Sequence, residues 1–291
     1  MKPAKFTYHT PESLEEAFQL LEEYGEEAKI IAGGQSLIPV MNLRLAQPEH
    51  IVDINGLTNL AGIRVEGQRI VIGALTRHAD VLESALVREH CAILNAAAAR
   101  IGHLAIRNRG TIGGSLSNAD PAAEWSMMAI ALDAEMTIQS ARGSRTVRAS
   151  DFIQSVYTVD LEADEILTEI SFPNTESGEG WSIQQICRRA GDFAIVQTAA
   201  TVRLDAAGNI ERLRLAVGSM GPTPLRLDDV EQAAVGRSPD AAWIAAVSET
   251  ASRLGDPESD VHASAEYRRE VCAVLTAKAL NEALASAGRK L

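Results

Sequence analysis

Apolar side chains recur three and four positions apart between Leu14 and Leu21, which is the spacing of one buried helix face. Just before them, Thr10 and Pro11 have the form of an N-cap followed by the first residue of a helix. Gly25 is typical of the residue at which a helix ends. The pattern therefore predicts a first helix that starts at Pro11 and stops at Gly25.

Two short runs of β-prone residues follow, at residues 29–32 and 50–54. The first run passes directly into a pair of glycines, which breaks the strand. Together with the first helix, these runs predict a small α/β unit at the start of the chain.

The middle of the chain mixes strands with helices. Pro121 and Glu124 have the residue types expected in a first helical turn, so residues 120–134 are predicted to form a helix that begins at Pro121. Two further helices are predicted to begin near Thr76 and at His90. The strands predicted in this part are residues 63–67, 69–74, 135–140, 144–150 and 166–172.

A polar stretch with glycines, from Pro173 to Gly180, marks a predicted domain boundary. Beyond it we predict three strands joined by turns, with a hairpin signal at residues 206–209, and then two or three alanine-rich helices. The expected fold is α+β. Its predicted parts are a two-part α/β domain at residues 1–175, with subdomains at about 1–56 and 57–175, and a domain at 176–291 built of a three-stranded antiparallel sheet with helices.

The charge of the chain narrows its range of partners. It has 39 acidic against 27 basic residues and a formal net charge of −12, which does not favour binding to nucleic acid or to anionic lipid. No stretch approaches the roughly 20 apolar residues that cross a bilayer, and the start of the chain lacks an apolar signal region. We therefore expect a cytoplasmic protein that binds neither nucleic acid nor membrane.

Cysteine and histidine spacing gives no indication of a metal site. Cys91, Cys187 and Cys272 lie far apart and form no CxxC motif. The six histidines show no HExxH or comparable ligand spacing. The sequence predicts buried free thiols and no bound metal.

Two similar glycine pairs are the main chemical signal. Residues 31–38 read IAGGQSLI and residues 110–118 read GTIGGSLSN, each with a hydroxyl or amide side chain just after the glycines. Glycine lets the backbone approach a ligand and turn its N–H groups toward an anion. A helix that starts after such a loop adds its N-terminal dipole. Two such loops would suit a pyrophosphate held from two sides, although an isolated glycine pair is more often only a tight turn.

Known phosphate motifs do not match these loops. Neither has the lysine of a Walker loop, and neither has the GxGxxG spacing of a Rossmann fingerprint. This disfavours kinase, ATPase and NAD-dehydrogenase functions.

Four segments in register resemble one family. They are AGGQSL at 32–37, IRNRGTIGGSLSNADPAAE at 106–124, DEILTEISFP at 164–173 and RRAGDFAIV at 188–196. These segments closely resemble the FAD-binding medium subunits of the molybdenum hydroxylases, the family of carbon monoxide dehydrogenase and xanthine dehydrogenase. The resemblance covers nearly the whole chain. It implies a PCMH-type FAD-binding domain at 1–175, followed by a domain like the C-terminal domain of the carbon monoxide dehydrogenase flavoprotein.

The resemblance also implies which residues bind FAD. Residues 32–36 and 111–115 would hold the pyrophosphate, Glu124 would accept hydrogen bonds from ribose, and three apolar residues would contact the flavin or adenine. Phe193 stands where relatives often carry a tyrosine beside the flavin ring, so stacking is expected without the phenolic hydroxyl. The candidate residues are Ala32, Gly33, Gly34, Gln35, Ser36, Ile101, Thr111, Gly113, Gly114, Ser115, Glu124, Ile166, Leu167 and Phe193.

Four arginines near these segments, Arg107, Arg109, Arg188 and Arg189, suit phosphate or carboxylate, but a chain this acidic offers many internal partners. We therefore expect most of them to form structural ion pairs.

By resemblance, the chain would be the FAD-carrying electron-transfer subunit of a heteromeric molybdenum hydroxylase, an oxidoreductase. It would accept electrons from [2Fe-2S] clusters in a small subunit and pass them to an external acceptor, while a large subunit carries the molybdopterin. The complex would be a dimer of heterotrimers. FAD is expected to be noncovalent, and no catalytic residue is predicted. The alternatives are a free-standing flavin dehydrogenase or oxidase and a non-enzymatic nucleotide-binding module.

Overall fold

The computed structural model describes residues 1–288 and shows an α+β fold with three main sheets and a small two-stranded sheet. The strands are β1 Thr7–His9, β2 Ala28–Ile31, β3 His50–Asp53, β4 Ile63–Glu66, β5 Arg69–Gly73, β6 Glu135–Ser140, β7 Gly143–Arg148, β8 Ile153–Ser155, β9 Thr158–Val159, β10 Ile166–Pro173, β11 Gly180–Ile186, β12 Val196–Leu204, β13 Ile210–Gly218 and β14 Leu225–Arg226. The α-helices are α1 Leu14–Tyr24, α2 Leu37–Asn42, α3 His78–Glu83, α4 Ala85–His90, α5 Ala92–Ala98, α6 Leu104–Arg107, α7 Ile112–Asn118, α8 Glu124–Ala131, α9 Ala149–Phe152, α10 Asp228–Ala234, α11 Ala241–Arg253 and α12 Ala265–Ser286.

The first sheet is parallel, in the order β1-β3-β2, and α1 packs beside it around Ala17, Phe18 and Leu21. Helix α1 begins at Leu14, so the predicted start at Pro11 is wrong. Ser13 has an extended backbone and its hydroxyl accepts a hydrogen bond from the N–H of Glu16, which makes it the N-cap. The predicted end is confirmed, because Gly25 is the C-cap with φ +49°.

The second sheet is antiparallel, in the order β4-β5-β10-β6-β7, and carries the largest core cluster. Helix α8 joins this core, but it begins at Glu124 and not at Pro121. Asp120 explains the delay, since its carboxylate accepts a hydrogen bond from the N–H of Ala122 at 2.9 Å. This side-chain turn holds the chain before the helix, and Ala123 remains extended.

The third sheet has the order β11-β12-β13-β14, and α11 and α12 belong to the core on it. It has four strands where three were predicted. The additional edge strand, β14, is only two residues long and pairs with the end of β13, so it carries no alternation that could have revealed it. The predicted hairpin between β12 and β13 is confirmed, with Asp205 bonded to Asn209 across the turn.

Specific hydrogen bonds join the third sheet to the middle of the chain. The side chain of Gln197 donates to the Ala123 carbonyl at 3.2 Å, and the N–H of Ser219 donates to the Pro121 carbonyl at 3.2 Å. Both acceptors lie just before α8. The segment between α7 and α8 is therefore fixed against the third sheet. None of the helices within residues 1–288 is both long and apolar enough to cross a membrane.

Candidate functional site

The first glycine segment, residues 32–36, runs from the end of β2 to the start of α2. Gly34 has φ +71°, a conformation that side chains with a Cβ rarely adopt. Within residues 1–288, the N–H groups of Gly33, Gly34, Gln35 and Ser36 have no hydrogen-bond partner. Four such donors in consecutive residues form a site that favours an anion.

An open pocket of about 420 Å³ lies against this segment. Its lining includes residues that the sequence did not single out, on the ends of β1 and β3. Asp53 and Asn55 sit at and just after the carboxyl end of the central parallel strand, a position where ligand-contacting polar residues are common, so this signal was readable. The pocket is lined by Tyr8, Ile31, Ala32, Gly33, Gly34, Gln35, Ile38, Pro39, Asp53, Asn55 and Arg109.

Asp53 carries a negative charge on the wall of this pocket. Burial alone would raise the pKa of its carboxyl group, but hydrogen bonds from the Tyr8 hydroxyl and from the N–H and side chain of Asn55 outweigh burial and lower it. The guanidinium of Arg109 lowers this pKa further. Asp53 therefore stays ionised, and its bonds fix the residues around it.

The second glycine segment, residues 111–115, is not an open loop as the sequence suggested. Thr111 is the N-cap of α7, and the glycine pair lies in the first turn of that helix. The N–H of Gly113 donates to the Ala74 carbonyl at 2.9 Å, and the N–H of Gly114 donates to Thr111 Oγ1 at 3.1 Å. The N–H groups of Ile112 and Ser115 are also bonded within the protein. The main-chain N–H groups from Ile112 to Ser115 are therefore already used.

The two segments nevertheless meet. A Cβ on Gly33 would lie 2.5 Å from the carbonyl oxygen of Arg109 and 2.7 Å from the Cα of Gly110. A Cβ on Gly114, which is exposed, would lie 3.8 Å from that of Ala32. The structure therefore brings Ala32 and Gly33 next to Arg109, Gly110 and Gly114. The absence of a Cβ at Gly33 permits this approach.

His78 supports the chain just before the second segment. Its main-chain N–H donates to the Gly110 carbonyl at 3.1 Å, and its ring atom Nδ1 accepts a hydrogen bond from the indole of Trp125 at 3.0 Å. Burial lowers the pKa of His78 to about 4, and the charges of Arg77 and Arg107 lower it further. His78 is therefore neutral at physiological pH and acts as a structural support.

The apolar candidates fall into two groups. Phe193 is 59% exposed, on the loop between β11 and β12, while Ile101 is buried. That loop passes close to Ile101, because a Cβ on Gly191 would lie 2.9 Å from the carbonyl of Gly102. Ile166 and Leu167 are both buried, in the core clusters of the first and second sheets respectively.

Glu124 is buried at the start of α8, away from solvent. Burial raises the pKa of its carboxyl group to about 7, although hydrogen bonds, including one with Gln185, and the charge of Arg100 oppose this. Arg100 itself donates to the carbonyl of Ile183 in β11 at 2.6 Å. Glu124 therefore lies where the middle of the chain meets the third sheet.

The expectation that most of the four arginines form ion pairs is wrong. Within the described residues, Arg107, Arg109, Arg188 and Arg189 are not paired with a carboxylate. Arg107 donates instead to the carbonyls of Ile101 and Gly102, at 2.9 Å each. Arg109 is exposed at the pocket, where its charge acts on Asp53 without forming a salt bridge to it.

This arrangement can hold an anion but shows little acid–base or nucleophilic chemistry. Burial raises the pKa of the Cys91 thiol to about 12 and that of Cys272 to about 11, so neither is a thiolate near neutrality. Residues 1–288 contain no group of three histidine, cysteine, aspartate or glutamate side chains suited to a metal ion. The geometry of the site suits an anionic ligand.

Comparison with known protein families gives two matches that together cover most of the chain. Residues 4–175 match the FAD binding domain in molybdopterin dehydrogenase, and residues 181–283 match the CO dehydrogenase flavoprotein C-terminal domain.

Individual proteins are similar over almost their full length. The chain is 41% identical to the 6-hydroxypseudooxynicotine dehydrogenase complex subunit alpha of Paenarthrobacter nicotinovorans, covering 98% of this chain and 96% of that protein. It is 38% identical to the glyceraldehyde dehydrogenase medium chain of Sulfolobus acidocaldarius, covering 97% and 99%. The solved structure of carbon monoxide dehydrogenase from Hydrogenophaga pseudoflava superposes with a TM-score of 0.95 at 37% identity, covering 98% of this chain and 99% of that one.

Proposed function

The chain belongs to the FAD-binding medium subunits of the molybdenum hydroxylases, and we propose that it conveys electrons from the [2Fe-2S] clusters of a partner subunit, through bound FAD, to an acceptor outside the complex. The observation that carries this proposal is the row of four N–H donors without a partner among the described residues, at residues 33–36, beside a pocket of about 420 Å³ that Gly33, Gly34 and Gln35 line. FAD is the family's cofactor, and its pyrophosphate matches this donor set in charge and in hydrogen bonding.

The first glycine segment provides the main contacts in this proposal. The N–H groups of Gly33 to Ser36 would bind pyrophosphate oxygens, and the exposed guanidinium of Arg109 would balance their charge. The N-terminus of α7 would contribute less, because its donors are already bonded. There, the exposed Gly114 would allow close approach and Ser115 would offer a hydroxyl.

The remaining candidates would shape the site from two sides. Phe193 would present an exposed aromatic face to the flavin, next to Ile101. Ile166 and Leu167 are buried and do not line the pocket, so they would support the site through core packing, and Thr111 and Gly113 would hold α7 in place. Glu124 would orient the start of α8 rather than reach far into solvent.

The chemistry that FAD supplies when bound is exchange between one-electron and two-electron partners, which needs no nucleophile from the protein. The role of this chain is to bind, orient and shield. That role agrees with neutral buried thiols, a neutral His78 and the main-chain donors at residues 33–36. We accordingly assign no catalytic residue.

The partners would be an iron–sulfur small subunit and a molybdopterin large subunit, in a dimer of heterotrimers. We assign the choice of organic substrate to the large subunit. Relatives named for compounds as different as glyceraldehyde and 6-hydroxypseudooxynicotine are 38% and 41% identical to this chain. Both relatives align with at least 97% of this chain, so the same subunit architecture accompanies different substrates.

The test begins with the absorbance spectrum of the purified chain, before and after acid precipitation. A flavin spectrum that moves into the supernatant indicates noncovalent FAD. The chain is then purified in complex with its iron–sulfur and molybdopterin subunits, and the complex is reduced by substrate without an acceptor. Under the proposal, the iron–sulfur bands bleach no later than the flavin, and adding the acceptor restores flavin absorbance first.

Two other results would support the alternatives. Turnover of a small organic substrate by the isolated flavin-loaded chain would indicate a free-standing dehydrogenase or oxidase. A colourless chain that cannot be reconstituted with FAD, but is stabilised by other adenine nucleotides, would indicate a nucleotide-binding module.

A further inference from the structure

We propose that Asn55 and Arg77 form a polar clamp that sets the distance between the two glycine segments and so positions them for the cofactor. Neither residue was singled out from the sequence. The inference rests on the proposed function, because it assigns the clamp a role in FAD affinity.

Asn55 holds the first glycine segment. It lies just after β3, in a short 3₁₀-helix, and its Nδ2 donates to the Ala32 carbonyl at 2.7 Å. The same amide also donates to Asp53, whose carboxylate accepts the N–H of Asn55 at 2.9 Å. Asn55 is thereby fixed in orientation, with its Oδ1 left to accept from another group.

Arg77 holds the backbone that leads into the second segment. One end of its guanidinium donates to the Arg109 carbonyl, and its Nη2 donates to Asn55 Oδ1 at 2.6 Å. Its own backbone forms an antiparallel bridge with Thr111, and the next residue, His78, bonds to Gly110. Arg77 therefore moves with the second segment and reaches across to Asn55.

This chain of contacts is the polar connection between the segments. Among residues 1–288, no direct hydrogen bond joins residues 32–36 to residues 109–115. Contact between them consists of close packing of Gly33 on Arg109 and Gly110, with Ala32 near Gly114. Packing sets how near the segments can come. The route from Ala32 through Asn55 and Arg77 to Arg109 opposes their separation.

The clamp also supplies positive charge. Both hydrogen-bond acceptors of the Arg77 guanidinium are neutral, the Asn55 amide and the Arg109 carbonyl, although the carboxylates of Asp80 and Asp53 also attract its charge. Burial lowers the pKa of the Arg77 guanidinium, and repulsion by the nearby guanidinium of Arg109 lowers it further. A pyrophosphate in the pocket would relieve this repulsion. The clamp should therefore act on an anionic ligand more than on the folded chain without one.

The experiment titrates FAD into the deflavinated full chain, using flavin fluorescence, for Asn55→Ala, Arg77→Met and the double variant. We expect each single variant to raise the FAD dissociation constant by about tenfold, as for loss of a hydrogen bond to a charged group. The double variant should be about as weak as either single one, because both changes break the same link. Arg77→Lys keeps the charge but lacks the fork that spans both acceptors, so it should recover part of the affinity.

Thermal unfolding of the same proteins without FAD separates positioning from general stability. Arg64→Met is the matched control, since Arg64 forms only surface ion pairs with Glu66 and Glu169. FAD affinity within about twofold of wild type in the single variants, or fully additive effects in the double variant, would overturn the clamp. A loss of affinity that only follows a fall in unfolding temperature would also overturn it. Failure of the wild-type chain itself to bind FAD would instead refute the proposed function.

Discussion

The two glycine pairs have nearly the same sequence and opposite local structures. Gly33 and Gly34 lie in an open segment after a parallel strand, with main-chain donors free for a ligand. Gly113 and Gly114 lie in the first turn of α7, where every donor from Ile112 to Ser115 is bonded within the protein. In the first pair, glycine permits close approach to the neighbouring backbone and, under the proposed function, to the ligand. In the second pair, the missing Cβ of Gly113 allows it to pack against Ala74, the residue after β5.

The contrast shows that a glycine pair can mark the position of a site without showing whether its main-chain N–H groups are free to bind a ligand. A glycine pair followed by a hydroxyl is compatible with a free loop and with a capped helix. What decides between them is whether a capping side chain stands shortly before the pair. Thr111, two positions before Gly113, caps α7 with its hydroxyl, whereas neither Ile31 nor Ala32 has a side chain that could cap a helix.

The largest expected effect comes from a side chain at Gly33 that forces the two glycine segments apart. Gly33→Val places a Cβ at 2.5 Å from the Arg109 carbonyl, so the backbones must move apart. Overpacking of this kind costs about 3 kcal/mol, and we expect FAD affinity to fall by about a hundredfold. The FAD to protein ratio after gel filtration and a fluorescence titration measure this.

Gly56→Val is the control for this variant, because a Cβ there would be 3.9 Å from its nearest neighbour, the Pro11 carbonyl. It should retain FAD as the wild type does. Stoichiometric FAD in the Gly33→Val protein, at unchanged affinity, would refute the role of the first segment.

A substitution in the second pair should reduce the stability of the fold more than it reduces FAD affinity. A Cβ on Gly113 would lie 2.4 Å from the Cβ of Ala74, inside the core. We expect Gly113→Ala to lower the free energy of unfolding by about 2 kcal/mol, with a smaller change in FAD affinity. Urea unfolding of the protein without FAD, together with the FAD titration, checks this order. A variant of normal stability that has lost FAD would show that the two pairs act alike.

The support beneath the second pair predicts a pH dependence of stability. The pKa of His78 is about 4 when folded, below about 6.5 for an unfolded histidine, so the unfolded chain binds the proton more readily in between. This contribution to stability is full above about pH 6.5 and is lost as the pH falls towards 4. We expect the wild type to lose about 2 kcal/mol more than His78→Asn between pH 7.5 and pH 5.

Asparagine keeps an acceptor for the Trp125 indole, so the comparison isolates the titration of the imidazole. Equal pH dependence in the two proteins, measured by urea unfolding, would contradict a buried neutral His78.

Much of the fold was predictable because it depends on local pattern. Hydrophobic periodicity or turn residues in the sequence mark the strands β5, β6 and β10, the hairpin after β12 and the end of α1 at Gly25. The starts of α1 and α8 were missed for one reason. Proline marked a plausible first turn, but Ser13 and the Asp120 turn offered hydrogen bonds that set the actual boundary.

The site was predictable only in part. Residues 32–36 carry a motif, and their place beside a pocket follows from it. Asn55 carries only the signal of its position after β3, and Arg77 carries none, because their joint role depends on the first and second sheets bringing together two segments that are distant in sequence. The free arginines were misjudged because an acidic composition says nothing about which carboxylate lies within reach of a given guanidinium.

The smallest expected effect tests the cap that distinguishes the two pairs. Thr111→Ala removes the Oγ1 that accepts the N–H of Gly114 at 3.1 Å, which should cost about 1 kcal/mol of unfolding free energy. Thr111→Ser keeps the hydroxyl and should restore most of this. Removing the cap also frees the Gly114 N–H, in an exposed position beside Ala32. FAD should offset part of the loss if that N–H then turns to the cofactor, so the stability difference between Thr111→Ala and wild type should shrink when FAD is added. If FAD leaves that difference unchanged or widens it, the second segment supports the site through packing alone.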